Sequence, residues 1–127
     1  MSHFTHLQTQ MTDLELVKKA LDDLGFAYEV GAVRIRGYRE QETPALVKIE
    51  TGVPGYDIGL RPAGRQLELI ADWHGLKRLQ NERFAERLLQ RYAYHATCEK
   101  LRQQGFELVS EQHSAEDDIR LVLRRIA

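Results

Sequence analysis

The chain has 127 residues, 43% of them hydrophobic and 29% charged, which is typical of one folded domain spanning residues 1–127. A net charge of −1 excludes a global positive field for nucleic acid or anionic lipid, and the single cysteine excludes an intramolecular disulfide. No segment approaches the roughly 18 apolar residues of a membrane span, and the start MSHFTHLQTQ lacks the plan of a secretory signal, so we expect a cytoplasmic protein.

The first predicted elements are a weakly marked strand over residues 2–10 and a helix over residues 13–24. Thr12 and Glu15 have the spacing of a capping box, in which the threonine hydroxyl accepts a hydrogen bond from the Glu15 amide. Gly25 follows where a helix needs a left-handed terminator, because glycine adopts a positive φ at little cost.

A period of two replaces the helical period after residue 30 and predicts four strands. Their apolar sets are Val33 and Ile35; Ala45, Val47 and Ile49; Tyr56, Ile58 and Leu60; and Leu67, Leu69, Ala71 and Trp73. Pro62 and Gly64 lie between the last two sets and predict a hairpin, since proline presets one turn dihedral and glycine tolerates a positive one.

A long helix is predicted over residues 79–103, which contain neither glycine nor proline, and Gly105 ends it. Two closing strands follow at 106–109 and 119–123, joined by the acidic segment HSAEDD. The order β-α-β-β-β-β-α-β-β predicts an α+β protein, an antiparallel β-sheet with two helices packed on one face, similar to the TATA-binding-protein-like or helix-grip plan. We expect the opposite face of the sheet to be polar and open.

The stretch QRYAYHATC, residues 90–98, places two tyrosines, a histidine and the single cysteine on the long helix. His95 and Cys98 are three residues apart and share a helix face, an arrangement in which an imidazole can activate a thiol. A small core cysteine beside an interfacial histidine is the commoner arrangement, and we prefer it. In this interpretation Tyr92 docks on the sheet while Tyr94 points away.

Several segments together resemble one protein family. They are Met1–Phe4, KKALDDL at 18–24, RGY at 36–38, GYDIG at 55–59, QRYAYH at 90–95 and QGF at 104–106. They resemble a family of short uncharacterised open reading frames of algal plastids, cyanobacteria and other bacteria, catalogued as a domain of unknown function. The resemblance implies a role beside an AAA+ ATPase and its smaller companion domain, and a place in the plastid stroma for the algal relatives. It assigns no site residue.

A pocket between the sheet and the long helix is the first candidate site, because small-molecule sites combine aromatic walls with a few polar groups. The candidate ligand-binding residues are Tyr38, Tyr56, Asp57, Arg91, Tyr94 and His95, with Trp73 and Tyr92 as further walls. Gly59 adds a possible close approach, since its missing side chain leaves room for a ligand, a partner helix or a packed ring.

Four arginines form the second candidate site, a partner surface. Arg34 and Arg36 lie on one strand and Arg120 and Arg124 on the last, all predicted to point outward. If those strands are neighbours, they form an arginine-bearing sheet face that could meet an acidic partner or RNA. The interleaved aromatic residues that stack bases are missing from the same positions, so we place RNA binding last.

Metal and cofactor chemistry has little support in the sequence. His3 with His6 and Asp72 with His74 are two pairs, and a pair of ligands does not make a zinc site, so we expect no metal. The sequence has no phosphate loop, nucleophile elbow or metalloprotease motif. We therefore expect no cofactor and no catalytic residue, and we lean against an enzyme without excluding one.

These features lead to three hypotheses of function. The first is a noncatalytic accessory module that binds a protein partner, with an AAA+ ATPase or its companion as the partner that the resemblance implies. The second is a small-molecule-binding or enzymatic domain that uses the pocket between the sheet and the long helix. The third is RNA binding.

Overall fold

Residues 3–113 and 118–126 are described by a computed structural model of the chain. The elements are β1 (Thr5–Gln8), α1 (Leu14–Leu24), β2 (Tyr28–Arg36), β3 (Glu42–Glu50), β4 (Asp57–Ala63), β5 (Gln66–Ala71), α2 (Lys77–Asn81), α3 (Phe84–Gln103), β6 (Phe106–His113) and β7 (Ile119–Arg125). The predicted α+β class is confirmed, and the predicted order is found with α2 added. Ser2, in the first predicted strand, and residues 114–117 of the predicted acidic loop lie outside the described residues.

Five strands form one antiparallel sheet in the order β1-β5-β4-β3-β2. The predicted β4–β5 hairpin is confirmed, with Ile58 paired to Ala71 and Ala63 to Gln66. The closing strands do not extend this sheet, because β6 and β7 pair with each other in a second, two-stranded sheet. We call this second sheet the C-terminal hairpin. It is attached to α3 by the hydrogen bond of Arg91 to Glu111 of β6, and not to the edge of the larger sheet.

The start of α1 differs from the predicted capping box in one residue. The cap is Asp13, whose carboxylate accepts a hydrogen bond from the Glu15 amide at 2.9 Å, and the helix begins at Leu14. The hydroxyl of Tyr92 on α3 accepts from the amides of Thr12 and Asp13 at 3.0 Å each. The threonine is therefore tied to α3 by its backbone instead of capping α1 with its hydroxyl.

The main core lies between the helices and one face of the five-stranded sheet. Its fully buried members include Val17 and Leu21 of α1, Val47 and Ile49 of β3, Ile58 and Leu60 of β4, Leu69 of β5 and Leu88 of α3. Each such side chain contributes about 1.5–3 kcal/mol on leaving water. These strand residues all belong to the apolar sets that the period of two predicted, so the pattern identified the strand side chains that the main core buries.

The predicted long helix is divided in two at Arg83, which adopts a left-handed conformation with φ 60°. The break turns the chain so that Phe84 enters the core, where its ring meets the ring of Phe26 edge to face at 5.0 Å. A left-handed arginine costs about 1–2 kcal/mol, which burial of a phenylalanine offsets. Among the described residues, no helix combines the length and the apolarity needed to cross a membrane.

The second face of the five-stranded sheet is not open, in contrast to the expectation from the sequence. The ladder between β3 and β4 ends at the pair of Val47 and Leu60, beyond which β3 stays paired with β2. A Cβ added to Gly59 would lie 2.9 Å from Ile35 and 3.1 Å from Ala45. The far end of the β2–β3 ribbon therefore folds over this face, and the space that glycine leaves is filled by the chain's own aliphatic side chains.

We predict that Gly59→Ala destabilises the protein by about 1–3 kcal/mol, because the added methyl group meets two packed side chains in a closed layer. Urea unfolding would measure the loss. The same substitution in an Ile35→Ala background should cost less than half as much, because the two nearest atoms, both of Ile35, have been removed.

Gly64→Ala is the matched control for Gly59→Ala. Gly64 has φ 69° and no heavy atom within 4 Å of an added Cβ, so only the backbone conformation opposes the change. Its cost of about 1 kcal/mol should not depend on Ile35. An equal cost of Gly59→Ala in both backgrounds would contradict the proposed close packing.

Candidate functional site

Arg91 of α3 links three elements of the fold through its guanidinium group. Its Nε and Nη2 donate to Asp23 Oδ2 of α1 at 3.0 and 2.8 Å, and its Nη1 donates to Glu111 Oε1 of β6 at 2.9 Å. Hydrogen bonds between ionised groups are short and directional. Arg91 therefore fixes the position of the C-terminal hairpin against both α1 and α3.

Further side chains extend the arrangement around Arg91. His95 Nε2 lies 2.5 Å from Asp23 Oδ2, and the Arg91 guanidinium lies over the Tyr94 ring, 4.2 Å from its centroid. His113 Nε2 lies 2.8 Å from Glu111 Oε1 on the same strand. We call the whole set the α3 network: Asp23, Arg91, Tyr94, His95, Glu111 and His113.

The α3 network holds its carboxylates as anions. Burial acts to raise the pKa of Asp23, but hydrogen bonds with His95 and Arg91 outweigh it, so the pKa lies below the ordinary 3.8. The pKa of Glu111 is likewise lowered against the effect of burial, by hydrogen bonds from Arg91 and Tyr94. Burial and the hydrogen bond to Glu111 raise the pKa of Tyr94, so its hydroxyl remains a donor.

A cavity of about 270 Å³ lies beside the α3 network, between α1, α3 and the C-terminal hairpin, and Tyr94, His95 and Cys98 line one wall of it. We call it the α3 cavity. Tyr94 lies on the side of α3 that the C-terminal hairpin covers, where it is half-buried, whereas Tyr92 packs against the main core. His95 and Cys98 share a face as predicted, and that face borders the cavity.

The other three candidate ligand residues lie at β2 and β4. Asp57 is only 2% exposed, and it accepts from the Arg36 amide at 2.8 Å and from the Arg36 guanidinium at 2.9 and 3.1 Å. Tyr56 packs so closely on Gly75 that a Cβ there would lie 2.1 Å from its ring. Tyr38 donates its amide to Asp72. The six candidates thus form two groups on different elements, and the predicted single pocket is divided.

The four arginines of the predicted partner surface do not form one sheet face. Arg34 and Arg36 lie on β2 of the five-stranded sheet, whereas Arg120 and Arg124 lie on β7 of the C-terminal hairpin. Arg34 pairs with Glu42 at 3.1 Å, and Arg124 pairs with Glu107. The two pairs are separated because the closing strands form their own sheet, so the condition for a continuous arginine face is not met.

A surface that the sequence interpretation missed lies on the C-terminal hairpin. Val109 and Val122 are 56% and 39% exposed, on the side that faces away from α3. Arg120 and Arg124 lie on the same side, since alternate residues of β7 share a face. We call Val109, Arg120, Val122 and Arg124 the hairpin surface. The sequence feature that indicates this surface is Val122, an apolar residue that lies two positions from both Arg120 and Arg124 and so shares their strand face.

The two residue pairs that suggested a metal site, His3 with His6 and Asp72 with His74, do not form a metal centre among the described residues. Asp72 is 1% exposed, and its two carboxylate oxygens accept from the backbone amides of Tyr38 and His74. His6 Nδ1 lies 3.1 Å from Glu68. In the chain between residues 3 and 113 and from 118 to 126, no group of three or more His, Cys, Asp or Glu side chains is arranged to hold a metal ion.

The fold and site together define an α+β protein in which a five-stranded sheet and its helices carry a separate C-terminal hairpin, clamped by an ion-pair network. The chain matches the family described as "Protein of unknown function (DUF1257)" over residues 20–122 and belongs to it, which confirms the resemblance seen in the sequence. It is 34% identical to a protein described as "Uncharacterized protein ycf35" from Guillardia theta, and 32% and 31% identical to proteins of the same description from Cyanophora paradoxa and Pyropia yezoensis. Each match covers 98% of both chains. No solved structure matches the chain.

We predict that Asp23→Asn lowers the free energy of unfolding at neutral pH by about 1–2 kcal/mol, because it weakens charge-assisted contacts to Arg91 and His95 that are partly exposed to solvent. The pH dependence should also change. A carboxyl whose folded pKa is lowered stabilises the fold above its ordinary pKa and loses this contribution as pH falls through the lowered value.

Urea unfolding between pH 7 and pH 3 would test this expectation. The wild-type protein should lose stability as the pH falls below about 5, and Asp23→Asn should lose less over the same interval. Glu29→Gln removes one carboxylate from the exposed face of β2 and should retain the wild-type pH dependence. Identical pH profiles for Asp23→Asn and the wild type would refute a role of this carboxylate in clamping the hairpin.

Proposed function

We propose that the protein is a noncatalytic accessory module that binds a protein partner through the hairpin surface. The observation that carries this proposal is the distribution of exposed apolar side chains. Six large hydrophobic residues of the described chain are exposed; two of them, Val109 and Val122, lie together on the hairpin surface, and a third, Ile126, directly follows β7. Single exposed apolar residues are normal, whereas apolar residues gathered in one region are typical of interaction sites.

The hairpin also offers backbone groups to a partner. Among the described strands, β6 and β7 pair with each other alone, so each has a free edge. Free strand edges bind extended segments by main-chain hydrogen bonds, and side chains on the adjoining face add specificity. With Arg120 next to the valines, the partner segment that fits best is extended and apolar, with acidic residues at its ends.

An AAA+ ATPase or its companion domain is the partner that we propose. The support is the family resemblance, which implies a role beside such an ATP-driven machine. In this arrangement the module contributes recognition, while ATP hydrolysis belongs to its partner. The ionised groups of the α3 network are consistent with a noncatalytic role, since they bind one another and hold the hairpin in position.

A small-molecule-binding or enzymatic domain is the second candidate function, and the α3 cavity favours it. Tyr94, His95 and Cys98 supply a hydroxyl, an imidazole and a thiol to one wall of a cavity that is partly open to solvent. RNA binding gains no comparable support, because the arginines that suggested it lie in two different sheets.

We predict that the double variant Val109→Ser, Val122→Ser binds the AAA+ ATPase of the same organism at least about tenfold more weakly than the wild type, because two contacts at the centre of the interface lose apolar area. Calorimetry with the two purified proteins would measure the affinity. Because both valines are exposed, the thermal unfolding temperature should change by only a few degrees.

Val30→Ser is the matched control for the hairpin variant. Val30 is 41% exposed on β2, so the same chemical change is made outside the hairpin surface, and binding should be unchanged. Equal weakening by both variants would refute the hairpin surface as the interface. If the wild-type protein and the ATPase do not associate at micromolar concentrations, the proposed partner is wrong.

A further inference from the structure

We propose that the α3 cavity is a binding site for a small organic carboxylate that carries an apolar alkyl or aryl body. The site is independent of the hairpin surface, because it lies on the inner side of the C-terminal hairpin. This inference sharpens the second candidate function by naming its ligand class, and it stands whether or not the hairpin binds a partner.

The charge of the cavity wall points to an anion. Lys19 of α1 and Arg102 of α3 both line it, and the lining includes no carboxylate. Within residues 3–113 and 118–126, neither cation has an ion-pair partner, whereas Arg91 and Arg36 are both paired. Two unpaired cations at the rim of one cavity form an attractive site for a carboxylate group.

The remaining wall is apolar and defines the rest of the ligand. Leu101 of α3 and Phe106, Leu108 and Leu123 of the hairpin line it. A purely ionic ligand such as inorganic phosphate would leave these side chains without a partner, while a neutral hydrocarbon would leave the two cations unused. A carboxylate with an apolar body satisfies both halves of the wall.

The neighbouring acidic groups do not oppose an anion here, because each already has a cationic partner. Asp23 contacts Arg91 and His95, and Glu111 contacts Arg91. The same contacts hold Tyr94 and His95 in place, so the polar wall is preorganised and binding does not have to order it.

The size of the cavity limits the ligand. A volume of about 270 Å³ is below the usual range for drug-sized ligands and suits a molecule of roughly ten nonhydrogen atoms. Octanoate has this size, a single carboxylate and a flexible alkyl body, so it serves as the probe. Octanol is its neutral counterpart of nearly the same shape.

Cys98 provides a readout of where the probe binds, because it lines the cavity and is the only cysteine of the chain. We expect octanoate to bind saturably by calorimetry and to slow alkylation of Cys98 by N-ethylmaleimide at the same concentrations. Octanol should protect at least about tenfold less well, since it cannot pair with the cations.

Substitution of Lys19 and Arg102, the two cations at the rim of the cavity, tests whether they bind the carboxylate of the probe. Lys19→Gln with Arg102→Gln should weaken octanoate binding by at least about tenfold. Arg65→Gln removes one charge from the exposed β4–β5 turn, outside the cavity lining, and should leave binding unchanged. Thermal unfolding of all three proteins, the wild type and the two variants, would verify that the fold is retained; both rim cations are exposed, so it should be.

Four results would overturn the proposal. They are the absence of saturable octanoate binding, binding without protection of Cys98, equal protection by octanol, and a rim variant that binds as tightly as the wild type. Loss of binding in Arg65→Gln would mean that net charge alone attracts the probe, which also contradicts a defined site. None of these results bears on the hairpin surface, because no protein partner takes part in the assay.

Discussion

The guanidinium group of Arg91 is the contact on which the arrangement of the C-terminal half depends. A two-stranded hairpin is at best marginally stable by itself, so β6 and β7 need an attachment. Arg91 supplies it by binding Asp23 on one side and Glu111 on the other, which joins α1, α3 and β6 through one side chain. The location of the α3 cavity and the orientation of the hairpin surface both follow from this attachment.

The ion pairs and the apolar contacts of the hairpin have different effects. The carboxylates around Arg91 are partly exposed, and such pairs contribute only on the order of 1 kcal/mol of net free energy once desolvation is counted. Leu121 and Leu123 are half-buried on the side of the hairpin that faces α3, and the apolar area they remove from water stabilises the hairpin, but such burial is not directional. The α3 network selects one position among those that the apolar contacts would allow.

Local features of the fold could be read from the sequence, whereas features produced by distant contacts could not. Gly25 ends α1 with φ 80° and Gly64 turns the β4–β5 hairpin with φ 69°, as the positions of these glycines predict. The folding of the β2–β3 ribbon over the sheet depends on an irregularity between Val30 and Val33 and on contact with Gly59, residues far apart in sequence. Periodicity does not report such contacts.

The candidate sites follow the same rule. The spacing of His95 and Cys98 correctly predicts a shared helix face, since that depends on helix geometry alone. It does not show what covers the face, because the answer lies in the C-terminal hairpin, which the sequence interpretation assigned to the main sheet. The same misassignment suggested a continuous face for Arg34 and Arg120, which belong to different sheets.

The exposure of the hairpin surface is a consequence of its register. Leu108 pairs with Leu123 and Ser110 with Val122, so Val109 is an extra residue on β6. Without this bulge, Leu108 and Glu111 would point to opposite faces, because successive strand residues alternate. With it, Leu108 lines the α3 cavity while Glu111 reaches Arg91. The bulge thus allows Leu108 to line the cavity and Glu111 to reach Arg91, and it directs Val109 outward. The attachment of the hairpin to α3 and the exposed hairpin surface therefore have the same structural cause.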